Sequence, residues 1–364
     1  MEKQHLTYFK IENFKRFDSF EMSNLGQFNL IVGDNNVGKT SVLEGLCFDE
    51  DIEISAANFL ALFGYRSSIK FGGLPTVDAI KKSDFWSFFF RDVIKPICIK
   101  VLGQGEKEFT LALKSAAHLD SIEKEFAEND LALHTIRTYL KQINYGPEQN
   151  ETFKMTGAYL ENIEYKVRLP DLVPANLSCD NHLPGLFYEF FNPNKLLRKE
   201  FEEGLRKFIP DLEEVRIHRF SDGQDTLSVI LTTSDSIYPL YQFGDGTVKV
   251  ARILIHLAIT KNYRLMVDEI GSGIHFTRLT SYWKTIIQLC DKYQVQLFAT
   301  THSLECQQAF IEALEAPDMV QYQKDARNIS LIENKEGEVK AATYDFEQFE
   351  YALTIGFNTR GGKR

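Results

Sequence analysis

The sequence predicts an α/β fold, and three observations carry that prediction. The apolar stretch Phe28-Asn29-Leu30-Ile31-Val32 runs into Gly33-Asp34-Asn35-Asn36-Val37-Gly38-Lys39-Thr40, the spacing G-x-x-x-x-G-K-T. The run Leu265-Met266-Val267, apolar throughout, ends in two acids, Asp268 and Glu269. From residue 213 onward, β-branched runs alternate with amphipathic stretches, the pattern of parallel strands joined by crossover helices.

Composition sets the frame for these elements. The chain has 364 residues, 44% of them apolar and 25% charged, enough to build a large core in one elaborated domain or two. Glu2, Lys3, Lys10, Glu12, Lys15 and Arg16 interrupt the first twenty residues, so no signal-peptide core is expected there, and no apolar run reaches the length of a membrane span. The five cysteines, Cys47, Cys98, Cys179, Cys290 and Cys306, are scattered without a C-x-x-C pair, the pattern of reduced thiols in a cytoplasmic protein. A net charge of −10 argues against coating nucleic acid through bulk charge. Lys195-Leu196-Leu197-Arg198-Lys199 and Arg360-Gly361-Gly362-Lys363-Arg364 are the local patches left for DNA, and a solvated helix face and a chain end account for them more simply.

Along the chain, Phe9 to Phe17 reads as a strand followed by a turn, and Phe28 to Val32 as a buried strand. The helix after the glycine loop is expected to bury Val42, Leu43 and Leu46. Pro96 to Val101 and Glu108 to Leu113 form a hairpin across Gly103-Gln104-Gly105. From about Ser115 to Gln142, apolar residues at three-to-four spacing (Leu119, Ile122, Phe126, Leu131, Leu133, Ile136, Leu140) predict helix. Prolines at 147, 170, 174, 184 and 193 break any long helix beyond that point, with Tyr159 to Arg168 a strand candidate and Asn194 to Phe208 an amphipathic helix. The remainder reads as strands at Val215–Phe220, Thr226–Thr232, Arg264–Val267 and Val295–Thr300, and helices at Thr247–Thr260, Phe276–Lys292 and Ser303–Leu314. After these, a strand from Ile329 to Glu333 and little else is expected. Phe85 to Phe90 and Phe187 to Phe191 are aromatic clusters whose simplest role is core.

The chemistry lies at the strand ends. In a G-x-x-x-x-G-K-T loop the glycines let backbone N–H groups turn on phosphates, Lys39 reaches the β and γ oxygens, and Thr40 offers a hydroxyl to Mg²⁺, so a nucleoside triphosphate is the expected ligand. Asp268 is positioned to hold Mg²⁺ through water, and Glu269 to polarise the attacking water. His302 follows Glu269 by 33 residues at the end of the next strand, where its imidazole can bond a γ-phosphate. A P-loop kinase of a small metabolite shares the loop, but the acid pair and downstream histidine speak against it.

Taken in this order, the loop, Asp268-Glu269 and Thr301-His302 resemble an ABC-type ATPase head, and within that superfamily the RecF, SMC and OLD branch. The segments that carry the resemblance are Ile11 to Phe17, Asp268-Glu269-Ile270-Gly271-Ser272-Gly273-Ile274-His275 and Ala299-Thr300-Thr301-His302-Ser303-Leu304-Glu305. It implies a P-loop ABC-ATPase head, a mixed β lobe plus a parallel-sheet RecA-like core, with a mainly helical insertion. The corresponding division is an N-terminal lobe at 1–114, the insertion at 115–212 and a C-terminal lobe at 213–364. It implies a nucleotide contacted by Gly33, Asp34, Asn35, Asn36, Val37, Gly38, Lys39, Thr40, Ser41 and Arg16, with Thr40 and Asp268 as metal ligands and Glu269, His302 and Lys39 as the catalytic set. It also implies a signature loop that meets the partner subunit's nucleotide, and Tyr241 to Thr247 stands 24 residues (Gly244) before Asp268. Gln242, Gly244, Asp245 and Gly246 are its candidate contacts.

Two departures bear on turnover more than on binding. Gln242 stands where the family places a serine, and no glutamine occurs between Thr40 and Val101 to supply the usual Q-loop ligand. Phe88 to Asp92 occupies that place. With 62 residues after His302 and no sustained heptads, a Toprim nuclease domain and coiled-coil arms are not expected. The expected cofactors are ATP and Mg²⁺. The expected partners are a second copy, head to head or in a higher homo-oligomer, and a separate effector such as a nuclease or toxin, in antiphage defence or DNA maintenance. An ATP-loaded scaffold that holds an effector with little turnover is the alternative.

Overall fold

The computed structural model describes residues 5–48, 58, 62, 89–92, 95, 97–103, 108–114, 139–144, 150–152, 172–175, 183–221 and 223–356. Two six-stranded sheets organise these residues. The first, in the order β2 (Phe17–Ser23), β1 (Leu6–Phe14), β4 (Ile97–Gly103), β5 (Glu108–Lys114), β6 (Tyr139–Asn144) and β7 (Asn150–Thr152), is antiparallel throughout. The β1–β2 turn closes through Asn13 (φ 56°) and Lys15 (φ 51°), which brings Phe14 opposite Phe17.

The second sheet positions the site. Its order is β15 (Val339–Tyr344), β14 (Ala326–Glu333), β3 (Phe28–Gly33), β13 (Gln296–Thr301), β12 (Arg264–Val267) and β8 (Leu172–Val173). Every pair is parallel except β14–β15. Both faces of this sheet are buried, which explains why β3, β12 and β13 read as continuous apolar runs. Ile31, Met266, Phe298 and Leu331 pack toward the first sheet and α1 (Lys39–Gly45). Leu30, Val32, Leu265, Val267 and Leu297 pack toward the helices on the other side.

Those helices are α2 (Lys195–Arg206), α3 (Asp245–Ile259), α4 (Leu279–Tyr293) and α5 (Leu304–Glu315). Asn194 caps α2 by accepting from the Leu197 N–H. Two of the three cations in the basic patch of α2 are paired, Arg198 with Glu202 and with Glu214 of the following strand, and Lys199 with Glu203. A three-stranded antiparallel sheet, β9 (Leu212–Arg219), β10 (Asp225–Leu231) and β11 (Ser234–Pro239), leads into α3, which is buried on nearly every side. Trp283 of α4 packs edge-on to Phe310 of α5 at 4.7 Å and donates its indole N–H to the Cys306 carbonyl.

The structure departs from the sequence expectations in three places. Residues 139–144, which overlap the end of the helix expected to Gln142, form β6, because pairing with β5 supplies ladder partners that local apolar spacing does not foretell. The rest of that expected helix, the strand expected at 159–168, and 85–88 lie outside the described residues. The C-terminal stretch adds β15 and α6 (Phe346–Thr354) where little was expected. A capping box of Asp345 and Gln348 opens α6, a signal the sequence carries in D-x-x-Q form. Of the aromatic clusters, Phe89, Phe90, Phe187 and Phe191 are buried, while Tyr188 and Phe190 are exposed.

Candidate nucleotide-binding and hydrolysis site

Three neighbouring parallel strands, β3, β13 and β12, end side by side, and their C-terminal ends carry the candidate residues. Crevices at such strand ends are where open α/β sheets bind ligands. β3 delivers Gly33 and the loop of Asp34, Asn35, Asn36, Val37 and Gly38, which feeds α1 at Lys39. Gly38 has φ 102°, and a Cβ there would stand 2.7 Å from the Phe17 ring, so both backbone and space require glycine. Asp34, Asn35 and Asn36 are exposed, Val37 is buried, and Thr40 and Ser41 are half-buried in the first turn of α1.

Lys39 is buried and folded back on its own loop, its Nζ donating to the carbonyls of Gly33 (2.9 Å) and Asp34 (3.0 Å). Desolvation holds its ammonium below the usual lysine range, opposed by the charges of Glu269, Asp268 and Asp34. Arg16, from the β1–β2 turn, donates to the Asn36 carbonyl and pairs with Glu333 at 3.0 Å, so it straps the loop to the end of β14. Arg91 donates to the Arg16 carbonyl at 2.6 Å. Lys15 pairs with the buried Glu44 of α1 and lies over the Phe89 ring.

The acids meet the loop directly. Thr40 Oγ1 donates to Asp268 Oδ2 at 3.0 Å, and Thr300 Oγ1, at the end of β13, donates to Asp268 Oδ1 at 2.6 Å. The Glu269 N–H donates back to Thr300 Oγ1 at 2.8 Å. Glu269 itself sits in left-handed backbone, φ 49°, a conformation that costs a non-glycine residue on the order of 1–3 kcal/mol and clusters at functional sites. Its Oε2 lies 2.7 Å from His302 Nδ1 and accepts the His302 N–H at 3.3 Å. His302 is exposed.

The candidate signature residues lead into α3. Gln242 lies exposed in the 3₁₀ turn Leu240–Phe243, Gly244 follows at φ 89°, and Asp245 and Gly246 begin α3. Among the described residues no hydrogen bond joins them to the phosphate loop. Gly246 instead packs on the segment after Glu269, where a Cβ would stand 2.0 Å from the Gly273 carbonyl oxygen.

Sequence reasoning passed over two residues that the structure brings to the acids. Thr300 bridges Asp268 and Glu269. Lys249 of α3, buried, donates from Nζ to the carbonyls of Asp268 (2.8 Å) and Glu269 (2.5 Å), and burial pushes it down to about 8 against the pull of both carboxylates. The signal for Lys249 was a lone ammonium in the otherwise apolar run Val248 to Ala251.

The chemistry of the donor set fits Mg²⁺. Thr40 Oγ1 and Asp268 Oδ2 place two hard oxygen donors at one point, as suits a cation that draws its other ligands from phosphate and water. Among the described residues no group of three or more His, Cys, Asp or Glu could hold a metal.

Residues 28–305 match the family described as "AAA domain, putative AbiEii toxin, Type IV TA system". The chain belongs to this family. It is also similar to a Helicobacter pylori protein named ATP/GTP phosphatase, 23% identical, with 94% of this chain and 96% of that protein covered. Among solved structures it resembles the SMC head domain of Pyrococcus furiosus, solved with an extended coiled coil and bound to the C-terminal domain of ScpA. That likeness has a TM-score of 0.52 at 10% identity and covers 96% of this chain and 99% of the other. The chain is therefore an ATPase of the AAA/ABC type built on the α/β fold of an SMC head. No helix among the described residues is long and apolar enough to cross a membrane.

Proposed function

We propose that this ATPase binds Mg-ATP between two copies of the chain and hydrolyses it with Glu269 as general base. The observation that carries the proposal is the continuous set of contacts from Thr40 through Asp268 and Thr300 to Glu269 and His302 at three adjacent strand ends. Lys39 would exchange the Gly33 and Asp34 carbonyls for β and γ oxygens, and main-chain N–H groups of the loop would turn to the phosphates. Thr40 and Asp268 would hold Mg²⁺, whose charge offsets that of the phosphates. Glu269 takes a proton from water as its oxygen bonds the γ-phosphorus, the β–γ bridge breaks, and ADP and phosphate leave. His302, held at Glu269 Oε2 through Nδ1, orients that carboxylate.

A second copy is supported by the exposure of Gln242, Gly244 and Asp245 at the start of a fifteen-residue helix, with no hydrogen bond to the chain's own phosphate loop among the described residues. Exposed Tyr241 and Phe276 flank that helix start, the residue types enriched at interface cores. A separate effector, in antiphage defence or DNA maintenance, is supported by the family's toxin–antitoxin description and by the association of the similar SMC head with ScpA. An ATP-loaded scaffold with little turnover is favoured by Gln242 and by the lack of glutamine between Thr40 and Val101. Fast turnover stimulated by DNA would exclude it.

Glu269→Gln tests the main proposal. The variant is expected to bind ATP as the wild type does, to lose hydrolysis, and to shift from one chain to two by light scattering when ATP is added. Retained hydrolysis would remove Glu269 as the base. A mass that stays at one chain would remove the head-to-head arrangement.

A further inference from the structure

Lys249 joins two parts of the molecule that serve different nucleotides in a paired head. It stands one turn inside α3, the helix whose first residues are the candidate contacts to the partner's nucleotide. Its ammonium reaches two consecutive main-chain carbonyls of its own chain, those of Asp268 and Glu269. The same helix start is fastened a second time, because the Gly246 backbone lies against Gly273 with no room for a Cβ. The segment 268–273 thus meets α3 at both ends, at Lys249 and at Gly246.

What Lys249 pins is a strained peptide. Glu269, at φ 49°, is held by Thr300 Oγ1 on its N–H, by Lys249 and the Ser272 N–H on its carbonyl, and by His302 on its carboxylate. A buried ammonium bonded to neutral carbonyls is costly, and a hydrophobic residue would suit the surrounding helix better. Its two bonds to consecutive carbonyls point to a role in setting main-chain geometry.

We propose that Lys249 is a positioning residue that couples the signature helix to the general base of the same chain, so that phosphate contact in one composite site orients Glu269 in the other. This coupling rests on the head-to-head arrangement and on Glu269 as the base. The clamp itself requires only the second of these.

Lys249→Met and Lys249→Arg in the full chain test the clamp. Lys249→Met is expected to keep the affinity for a fluorescent ATP analogue and to lower kcat by about tenfold to a hundredfold, the effect of misplacing a catalytic group by roughly 1 Å. Lys249→Arg, whose guanidinium can donate to both carbonyls, should recover part of the rate. An unchanged kcat in Lys249→Met overturns the clamp. So does a loss of kcat matched by equal losses of affinity and melting temperature, the mark of a structural role alone.

Mixed pairs of differently tagged copies test the coupling by single-turnover hydrolysis. With Lys249→Met in one copy and Glu269→Gln in the other, both sites should be slow. With both changes in one copy, one site per pair should turn over at the wild-type rate. The opposite pattern means that Lys249 serves the partner's site and overturns the proposal. Failure to isolate any mixed pair with ATP overturns the head-to-head arrangement and the coupling with it, while the kcat of Lys249→Met still judges the clamp.

Discussion

Gly246→Ala is the most local way to part the signature helix from the segment after Glu269. Gly246 lies in helical backbone, so alanine brings no conformational penalty of its own and isolates the steric effect. Its Cβ would stand 2.0 Å from the Gly273 oxygen and 2.5 Å from the Gly273 carbonyl carbon, where real Cβ atoms stay beyond 3.0 Å. Relief therefore takes about 1 Å of movement, and since the obstacle is backbone, no rotamer change can provide it. Overpacking of this kind costs about 1–3 kcal/mol, a loss of a few degrees in Tm. Because the displaced segment carries Glu269, kcat should fall by about a hundredfold. The phosphate loop is untouched, so nucleotide affinity should hold. Phosphate release at saturating ATP, a thermal melt and equilibrium nucleotide binding read the three quantities. Gly185→Ala, where a Cβ meets nothing within 4 Å, is the control and should leave kcat and nucleotide affinity unchanged without lowering Tm. Wild-type kcat in Gly246→Ala would refute the reasoning, since it would show that helix and acid segment move independently.

Three further outcomes are expected. Thr300→Val removes the donor to Asp268 and the acceptor of the Glu269 N–H at a fully buried position, so it should cost about 1–3 kcal/mol in urea unfolding and raise the Mg²⁺ needed for half-maximal hydrolysis by about tenfold or more; an unchanged Mg²⁺ titration would contradict it. His256, fully buried on α3, is pushed down to about 3 by desolvation, with the Arg252 charge adding to it. Its folded value lies below the unfolded one, so stability is full above about pH 6.5 and falls by about 1.4 kcal/mol per unit toward pH 3, a slope that His256→Leu should remove from unfolding curves at pH 6.5, 5.5 and 4.5. Chelating divalent ions should abolish hydrolysis, with Mg²⁺ restoring it in the wild type but only weakly in Asp268→Asn; full restoration in the variant would remove Asp268 as the metal ligand.

The elements legible in the sequence were those whose signal is local. Arg264–Val267 is a strand with the bounds its apolar run predicts, and the spacing from Gly33 to Thr40 encodes the loop and the start of α1 together. The acids at 268 and 269 and the histidine at 302 announced themselves as strand-end residues, and the structure places Glu269 against His302. Long-range pairing hid the rest. β6 joins β5 across a long insertion, and β8, two residues long, finds β12 through pairing alone. Lys249 stood out only as a lone ammonium in an apolar run, and its partners stayed hidden because they are main-chain carbonyls, which leave no mark in side-chain patterns. Thr300 was quoted within a motif, but its bridging role depends on β12 and β13 lying side by side.

The electrostatics of the site explain why nucleotide should be required to complete it. Lys39 and Lys249 are buried ammonium groups, and each donates to backbone carbonyls. Both are held below the usual lysine range by desolvation, offset in part by the carboxylates of Asp268 and Glu269. Neutral carbonyls stabilise a buried cation less than an anion does, because hydrogen bonds between charged partners are shorter and roughly twice as strong. A triphosphate arriving at the loop would therefore replace the weaker partners of Lys39 with charged oxygens and lift its basicity. Lys249 has no such exchange open to it, since its carbonyls belong to the segment that carries the acids. The two lysines thus divide the work by position: the one on the loop can leave its carbonyls for the phosphate, and the one on the helix must stay and hold the base.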